Sequence, residues 1–227
     1  MSDWHCYPSR DELDEALALH VAGRLQQEIA ASGSASLAVS GGGTPRTMFQ
    51  RLSRCDLDWS RVWITLVDER WVGTGNRDSN ERMVRENLLK NRAAAAGFVG
   101  LKTEHADPQA GLAEATRRLT SVPRPFTLVL LGMGADGHTA SWFPQAHNLG
   151  ELLAPDSGAV LGATDPVTAP HPRITLTLSS VLASHAIIIH ITGEEKRSVL
   201  ADAASGGAPV AALFAQQKTP VTVWWAP

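Results

Sequence analysis

Phe126-Thr127-Leu128-Val129-Leu130-Leu131-Gly132-Met133-Gly134-Ala135-Asp136-Gly137-His138-Thr139-Ala140-Ser141 is the stretch that decides how this chain reads. Its first six residues are an apolar run closed by glycine, which reads as a buried strand. The chain then leaves the sheet through three glycines and presents Asp136 and His138. Glycine lets a backbone turn sharply and come close to a ligand. Ligands of open α/β sheets bind outside the carboxyl ends of the strands. A histidine held there can move protons near neutral pH.

Gly132-x-Gly134-x-x-Gly137 also matches the dinucleotide fingerprint literally, and it follows a strand. Three features argue against that reading. Asp136 would put a carboxylate where a pyrophosphate should sit. Pro144 arrives too soon for the long crossover helix that a fingerprint loop opens. The acidic residue expected about 20 positions on has only Asp156 as a candidate, and Pro155-Asp156-Ser157-Gly158 is turn chemistry.

Outward from this stretch, strands and helices alternate. Ser9-x-x-Glu12 is a capping box ahead of a helical stripe of Leu13, Leu17, Val21, Leu25 and Ile29. Ser36–Ser40 reads as a strand that ends in Gly41-Gly42-Gly43, with Thr44-Pro45 as cap and first helical residue. Val62–Val67 is a strand ending at Asp68-Glu69-Arg70. Helices are expected from about Asn80 to Leu89, over Pro108–Leu119, and from Gly193-Glu194-Glu195-Lys196 onward. Arg173–Leu178, His185–Ile191 and Val221–Trp225 read as further strands, and Ala93–Ala96 as helix filler. The pattern predicts a Rossmann-like, doubly wound α/β fold, a mostly parallel sheet flanked by helices. With neither repeat nor linker, residues 1–227 are expected to form a single domain.

Composition narrows the function classes. A net charge of −3 gives no general basic footprint for nucleic acid. Cys6 and Cys55 are far apart and suggest neither a disulfide scaffold nor a zinc site. No apolar run approaches the ~18 residues of a membrane span. Met1-Ser2-Asp3-Trp4-His5 lacks the basic and apolar regions of a signal peptide, so a cytoplasmic protein is expected. The oligomeric state stays open between monomer and weak dimer.

Several constellations can carry chemistry. Ser40-Gly41-Gly42-Gly43-Thr44-Pro45 is either a tight turn or an anion cradle, and three successive glycines before a helix favour the cradle. Asp68-Glu69-Arg70 is either a solvated turn or a site element; its place at a strand end favours the site. Arg70 suits a phosphate or a carbonyl oxygen, and Asp68 would orient it or a sugar hydroxyl. Arg173 precedes a strand, and Lys196 opposes the dipole of its own helix, a placement that a bound anion would compensate. His138 stands out because glycines bare it at a strand end beside Asp136. No role is assigned to His5, His20, His105, His147, His171, His185 or His190. Asp136 and His138 lack a third well-spaced metal ligand, and Ser141 lacks a nucleophile elbow.

These pieces occur in a known order. Ser-Gly-Gly-x-Thr-Pro (40–45), Asp-Glu-Arg (68–70), Ser79-Asn80, Gly-x-Gly-x-Asp-Gly-His-Thr-Ala-Ser (132–141) with Phe143-Pro144, Arg-x-Thr-Leu-Thr (173–177) and Gly193-x-x-Lys196 resemble the 6-phosphogluconolactonases from about Leu13 to Trp225. Trp142 and Gln145 depart from the family's usual leucine and glycine. The resemblance implies a fold shared with glucosamine-6-phosphate deaminases. It also implies hydrolysis of 6-phospho-D-glucono-1,5-lactone in the pentose phosphate pathway, without metal or organic cofactor. On that expectation Gly42, Gly43, Thr44, Arg173 and Lys196 take the phosphate, and Asp68 joins the substrate site. His138 is the general base, steadied by Asp136 directly or through the loop, with Arg70 or the Gly134–Gly137 amides on the oxyanion. Two alternatives are a deaminase-like isomerase and a non-catalytic sugar-phosphate sensor. The deaminases continue Ala-Phe-Asn-Glu-Pro where this chain has Ala140-Ser141-Trp142-Phe143-Pro144, without a carboxylate.

Overall fold

The structure is a computed structural model that describes residues 3–227. Met1 and Ser2, the start of the segment read for a signal, lie outside the described residues. The chain begins β1 (Asp3–Cys6), α1 (Arg10–Ser32), β2 (Ala35–Val39), α2 (Arg46–Leu52), β3 (Val62–Leu66), β4 (Asp68–Arg70) and α3 (Asn80–Asn87). It continues β5 (Gly97–Val99), α4 (Pro108–Leu119), β6 (Leu128–Leu131), α5 (Leu149–Leu152), β7 (Leu161–Thr164) and β8 (Arg173–Leu176). It ends α6 (Leu178–Leu182), β9 (Ile187–Thr192), α7 (Glu194–Gly206) and β10 (Val221–Ala226).

Seven strands form a wholly parallel sheet in the order β1-β10-β9-β6-β2-β3-β5. Its central strands are continuous apolar runs, Leu128–Leu131 and Ile187–Ile189 among them, all buried. Such runs suit a sheet covered on both faces. Helix α1 starts where Ser9 accepts a hydrogen bond from the Glu12 amide, and it buries Leu13, Leu17, Val21 and Leu25. Right-handed crossovers put α1 and α2, whose connections run one way across the sheet, opposite α7, whose connection runs the other way. The mostly parallel sheet flanked by helices is therefore present.

A second sheet departs from expectation. Arg173–Leu176 does not join the parallel sheet; it lies antiparallel between β4 and β7 in a separate three-stranded sheet. The hinge is Val67. Its amide donates to Val39 of the large sheet at 2.9 Å, and its carbonyl accepts from Leu176 of the small one at 2.7 Å. Asp68-Glu69-Arg70 is thus a strand in its own right. Two edge strands, β1 and β5, were also unexpected, and Ala93–Ala96 belongs to a 3₁₀ turn ahead of β5.

Candidate active site

Connections from β2 lead one way along the large sheet, whereas β6 starts the run in the other direction, so the strand order switches between them. At such a switch the loops part and leave a crevice. A cleft of about 420 Å³ opens there, lined by Ser40–Pro45 from one loop and Gly132–Gly134 and His138 from the other. Of the nine candidate residues all but Asp136 line this cleft, and Asp136 stands behind His138.

The loop after β6 is pinned from within. Gly134 N donates to His138 O at 2.9 Å, Gly137 N to Gly134 O at 3.1 Å, and Thr139 Oγ1 to Gly132 O at 2.8 Å. Asp136 Oδ1 accepts from the His138 amide at 3.2 Å and lies 2.5 Å from Nδ1. One carboxylate therefore holds both the loop and the imidazole. Since it only accepts, Nδ1 donates and Nε2 keeps its lone pair. Gly134 is required by close approach: a Cβ there would stand 2.3 Å from His138 Nδ1 and Cε1. Phe143 stacks on the imidazole with ring centroids 4.4 Å apart. Gly134 and Gly137 spend their amides on the turn, which leaves those of Ala135 and Asp136 free among the described residues. The stretch from Gly137 to Pro144 makes turns and no helix, contrary to a dinucleotide loop.

Two arginines stand on the small sheet. Arg70 and Arg173 are directly opposed across β4 and β8. Like charges in that position repel. Arg173 is 4% exposed, and its Nε and Nη1 are buried without a hydrogen-bond partner. Burial first, then Arg70, hold its pKa below the usual guanidinium range. Its guanidinium lies 5.9 Å from the centroid of the same Phe143 ring that stacks on His138. Arg70 Nη1 donates to Asp78 O at 2.6 Å. Lys196, half-buried in the first turn of α7, lines the cleft, and burial lowers its pKa.

Two carboxylates hold the frame. Asp68 does not reach Arg70; it accepts from Ser141 Oγ at 2.6 Å and Asn80 Nδ2 at 3.2 Å. Glu69, fully buried, accepts from the amides of Arg70, Asn80 and Glu81 and from Ser79 Oγ, and so caps α3. Burial pushes its pKa up, against those hydrogen bonds. Opposite, the Gly42, Gly43 and Thr44 amides are free among the described residues. Thr44 does not cap α2, which begins after Pro45 without a side-chain cap. Gly41 is the glycine required by packing, since a Cβ there would lie 1.9 Å from Asn80 Oδ1.

Sequence reasoning missed Asp78, His171 and His190, which also line the cleft, and it gave Asn80 and Phe143 no task. His190 left a signal, a polar residue inside the apolar run Ile187–Ile191. Its Nε2 lies 3.4 Å from Asp14 Oδ1, both residues buried. Asp78 and His171 sit in loops whose meeting only the fold reveals.

Residues 8–224 match the family described as glucosamine-6-phosphate isomerases/6-phosphogluconolactonase. A 6-phosphogluconolactonase of Rhizobium meliloti is 43% identical over 100% of this chain and 99% of its own length. One of Neisseria meningitidis is 44% identical over 89% of this chain and 88% of its own. A crystal structure of a 6-phosphogluconolactonase from Shewanella baltica superposes with a TM-score of 0.97 at 46% identity, over 100% of this chain and 98% of that one. A monomeric glucosamine-6-phosphate deaminase shares the fold, with a TM-score of 0.74 at 16% identity over 99% of this chain and 97% of that one. This chain belongs to the glucosamine-6-phosphate isomerase/6-phosphogluconolactonase family.

Proposed function

We propose that this chain hydrolyses 6-phospho-D-glucono-1,5-lactone to 6-phosphogluconate, in the oxidative pentose phosphate pathway of the cytoplasm. The observation that carries the reading is Arg173: buried, partly unpartnered, opposed to Arg70, and near the same Phe143 ring that stacks on His138. Two arginines directly opposed across a strand pair call for an anion, and the His138 imidazole lines the same cleft. A lactone whose carbonyl C1 and 6-phosphate lie at opposite ends of one sugar suits that arrangement. No helix is long and apolar enough to cross a membrane among the described residues.

The phosphate docks on the Gly42, Gly43 and Thr44 amides, with Arg173 and Lys196 closing on it and Arg70 adding charge beside Arg173. Binding energy from that remote group holds C1 in register. His138 Nε2 takes a proton from water as the oxygen attacks C1, while Asp136 steadies the imidazolium through Nδ1–H. The free amides of Ala135 and Asp136, with Arg70 at longer range, offset the charge on the carbonyl oxygen. As the C1–O5 bond breaks, His138 returns the proton to O5. Water is the only co-substrate. Asp68 acts through Asn80 and Ser141, positioning the glycine turn and the loop after β6.

The test is lactone hydrolysis with the spontaneous rate subtracted, using glucono-1,5-lactone with and without the 6-phosphate. Strong acceleration of the phosphorylated lactone alone is expected. Decay at the spontaneous rate, with binding of 6-phosphogluconate retained, would instead make the protein a sensor.

A further inference from the structure

The cleft holds a second imidazole–carboxylate pair. His171 Nε2 lies 3.2 Å from Asp78 Oδ2. The two residues come from different loops, the one after β4 and the one before β8, and both line the cleft. His171 sits at φ 71 between Pro170 and Pro172, a left-handed conformation that a residue with a Cβ adopts at a cost. The imidazole is not needed to hold the loops together, because Trp71 N already donates to Pro172 O at 2.8 Å. What the strained backbone accomplishes is to carry the ring to the cleft wall, where about a third of the side chain stays exposed.

Chemistry fixes what this ring offers. A carboxylate accepts, so Nε2–H donates to Asp78 and Nδ1 keeps its lone pair. The hydrogen bond from His171 also holds the Asp78 carboxyl below its ordinary range, and that keeps Asp78 in the acceptor form. Asp78 orders Arg70 as well, through its carbonyl at 2.6 Å. His171 is therefore set in register with the phosphate end of the cleft. The cations meet the phosphate and His138 meets the reacting carbonyl, which leaves the ring hydroxyls in need of acceptors.

We infer that His171 is a specificity-determining residue whose Nδ1 accepts a hydrogen bond from one ring hydroxyl of the phosphosugar lactone, with Asp78 positioning the imidazole. The inference rests on the lactonase reading. His171→Gly is the informative variant, because glycine adopts a positive φ freely and only the imidazole is lost. His171→Ala keeps the strain, and Asn, which tolerates this backbone region, restores a polar side chain. Substrates are the 6-phosphorylated lactone and its 2-, 3- and 4-deoxy counterparts.

A neutral hydrogen bond corresponds to roughly a 3- to 10-fold change in kcat/KM. Glycine and alanine should both lose that much on the parent lactone, mainly in KM, and asparagine should recover part of it. On one deoxy lactone, the one lacking the contacted hydroxyl, wild type and His171→Gly should be equal. Uniform loss on every lactone, loss in the alanine variant but not the glycine variant, or no loss at all would each overturn the inference. Wild-type turnover at the spontaneous rate would overturn the lactonase reading, and this one with it.

Discussion

Strand β9 of the large sheet buries Ile187, Ile188, Ile189 and Ile191, whereas strand β8 of the small sheet buries Arg173. Each of those isoleucines contributes about 1.5–3 kcal/mol by leaving water. Arg173 lies across from a second arginine with two of its nitrogens unpartnered, and a buried unpaired charge opposes folding. The large sheet gives the cleft its position and, through the loop after β6, its proton acceptor. The small sheet adds two arginines to the Lys196 that follows β9. Stability is thus concentrated in the large sheet, whereas the two arginines of the cleft stand on the small one, and variants should separate the two contributions.

The largest effect is expected from the large sheet's loop. His138→Ala should lower kcat by roughly 10²–10⁴, the range for a lost general base, on lactones with and without phosphate. Near-normal turnover would remove His138 from the chemistry. Next comes the small sheet. Arg173→Met should cost about 10- to 150-fold in kcat/KM on the phosphorylated lactone, from one charge-assisted hydrogen bond of about 1.5–3 kcal/mol. It should leave the poor turnover of the unphosphorylated lactone unchanged. The same variant should melt no lower than wild type, because it exchanges an unpaired buried cation for an apolar side chain. Equal losses on both lactones, or a large drop in melting temperature, would make Arg173 part of the frame.

The same division explains what the sequence made legible. Leu128–Leu131 and Ile187–Thr192 announce themselves because parallel strands buried on both faces are continuous apolar runs. Asp3–Cys6 and Gly97–Val99 do not: they are short edge strands without alternation or an apolar run. Asp68–Arg70 reads as a charged strand end, and only its pairing with Arg173–Thr175 reveals a second sheet. His138 was visible because glycines and an aspartate surround it in sequence. The Arg70–Arg173 opposition, the Asp78–His171 contact and the burial of His190 beside Asp14 are long-range facts of register and packing, which no local pattern carries.

A smaller effect tests the seam between the sheets. Trp142 is fully buried, and its indole N–H donates to Leu176 O of the small sheet at 2.9 Å. Trp142→Phe keeps most of the apolar volume but removes one of two hydrogen bonds to that carbonyl, the other coming from Thr175 Oγ1 at 3.1 Å, at a cost of about 0.5–1.5 kcal/mol. In a chain of this size each kcal/mol corresponds to a fall in melting temperature of about 2–4 °C. An unchanged melting temperature would mean that the indole hydrogen bond contributes nothing to joining the sheets.

The last effect concerns charge sealed against the large sheet. Burial, with Lys196 adding to it, pushes His190 from 6.5 down to about 4. Burial likewise pushes Asp14 from 3.8 up to about 6. Below its ordinary pKa His190 is charged in the unfolded chain but neutral in the folded one, so its contribution to stability is lost as pH falls from 6.5 to about 4. Asp14 has the opposite sign. It takes up a proton in the folded chain at about 6 and in the unfolded chain only near 3.8, so stability is gained as pH falls through that window. The two slopes oppose each other over almost the same range, and their sum in the wild type should be close to flat. Asp14→Asn removes one slope, and its melting temperature relative to wild type should drop as pH is lowered from about 7 to about 4. His190→Leu removes the other, and relative to wild type it should rise over that range. If all three proteins trace parallel curves, neither group changes its protonation on folding, and the large sheet holds no hidden charge to set against the arginines of the small one.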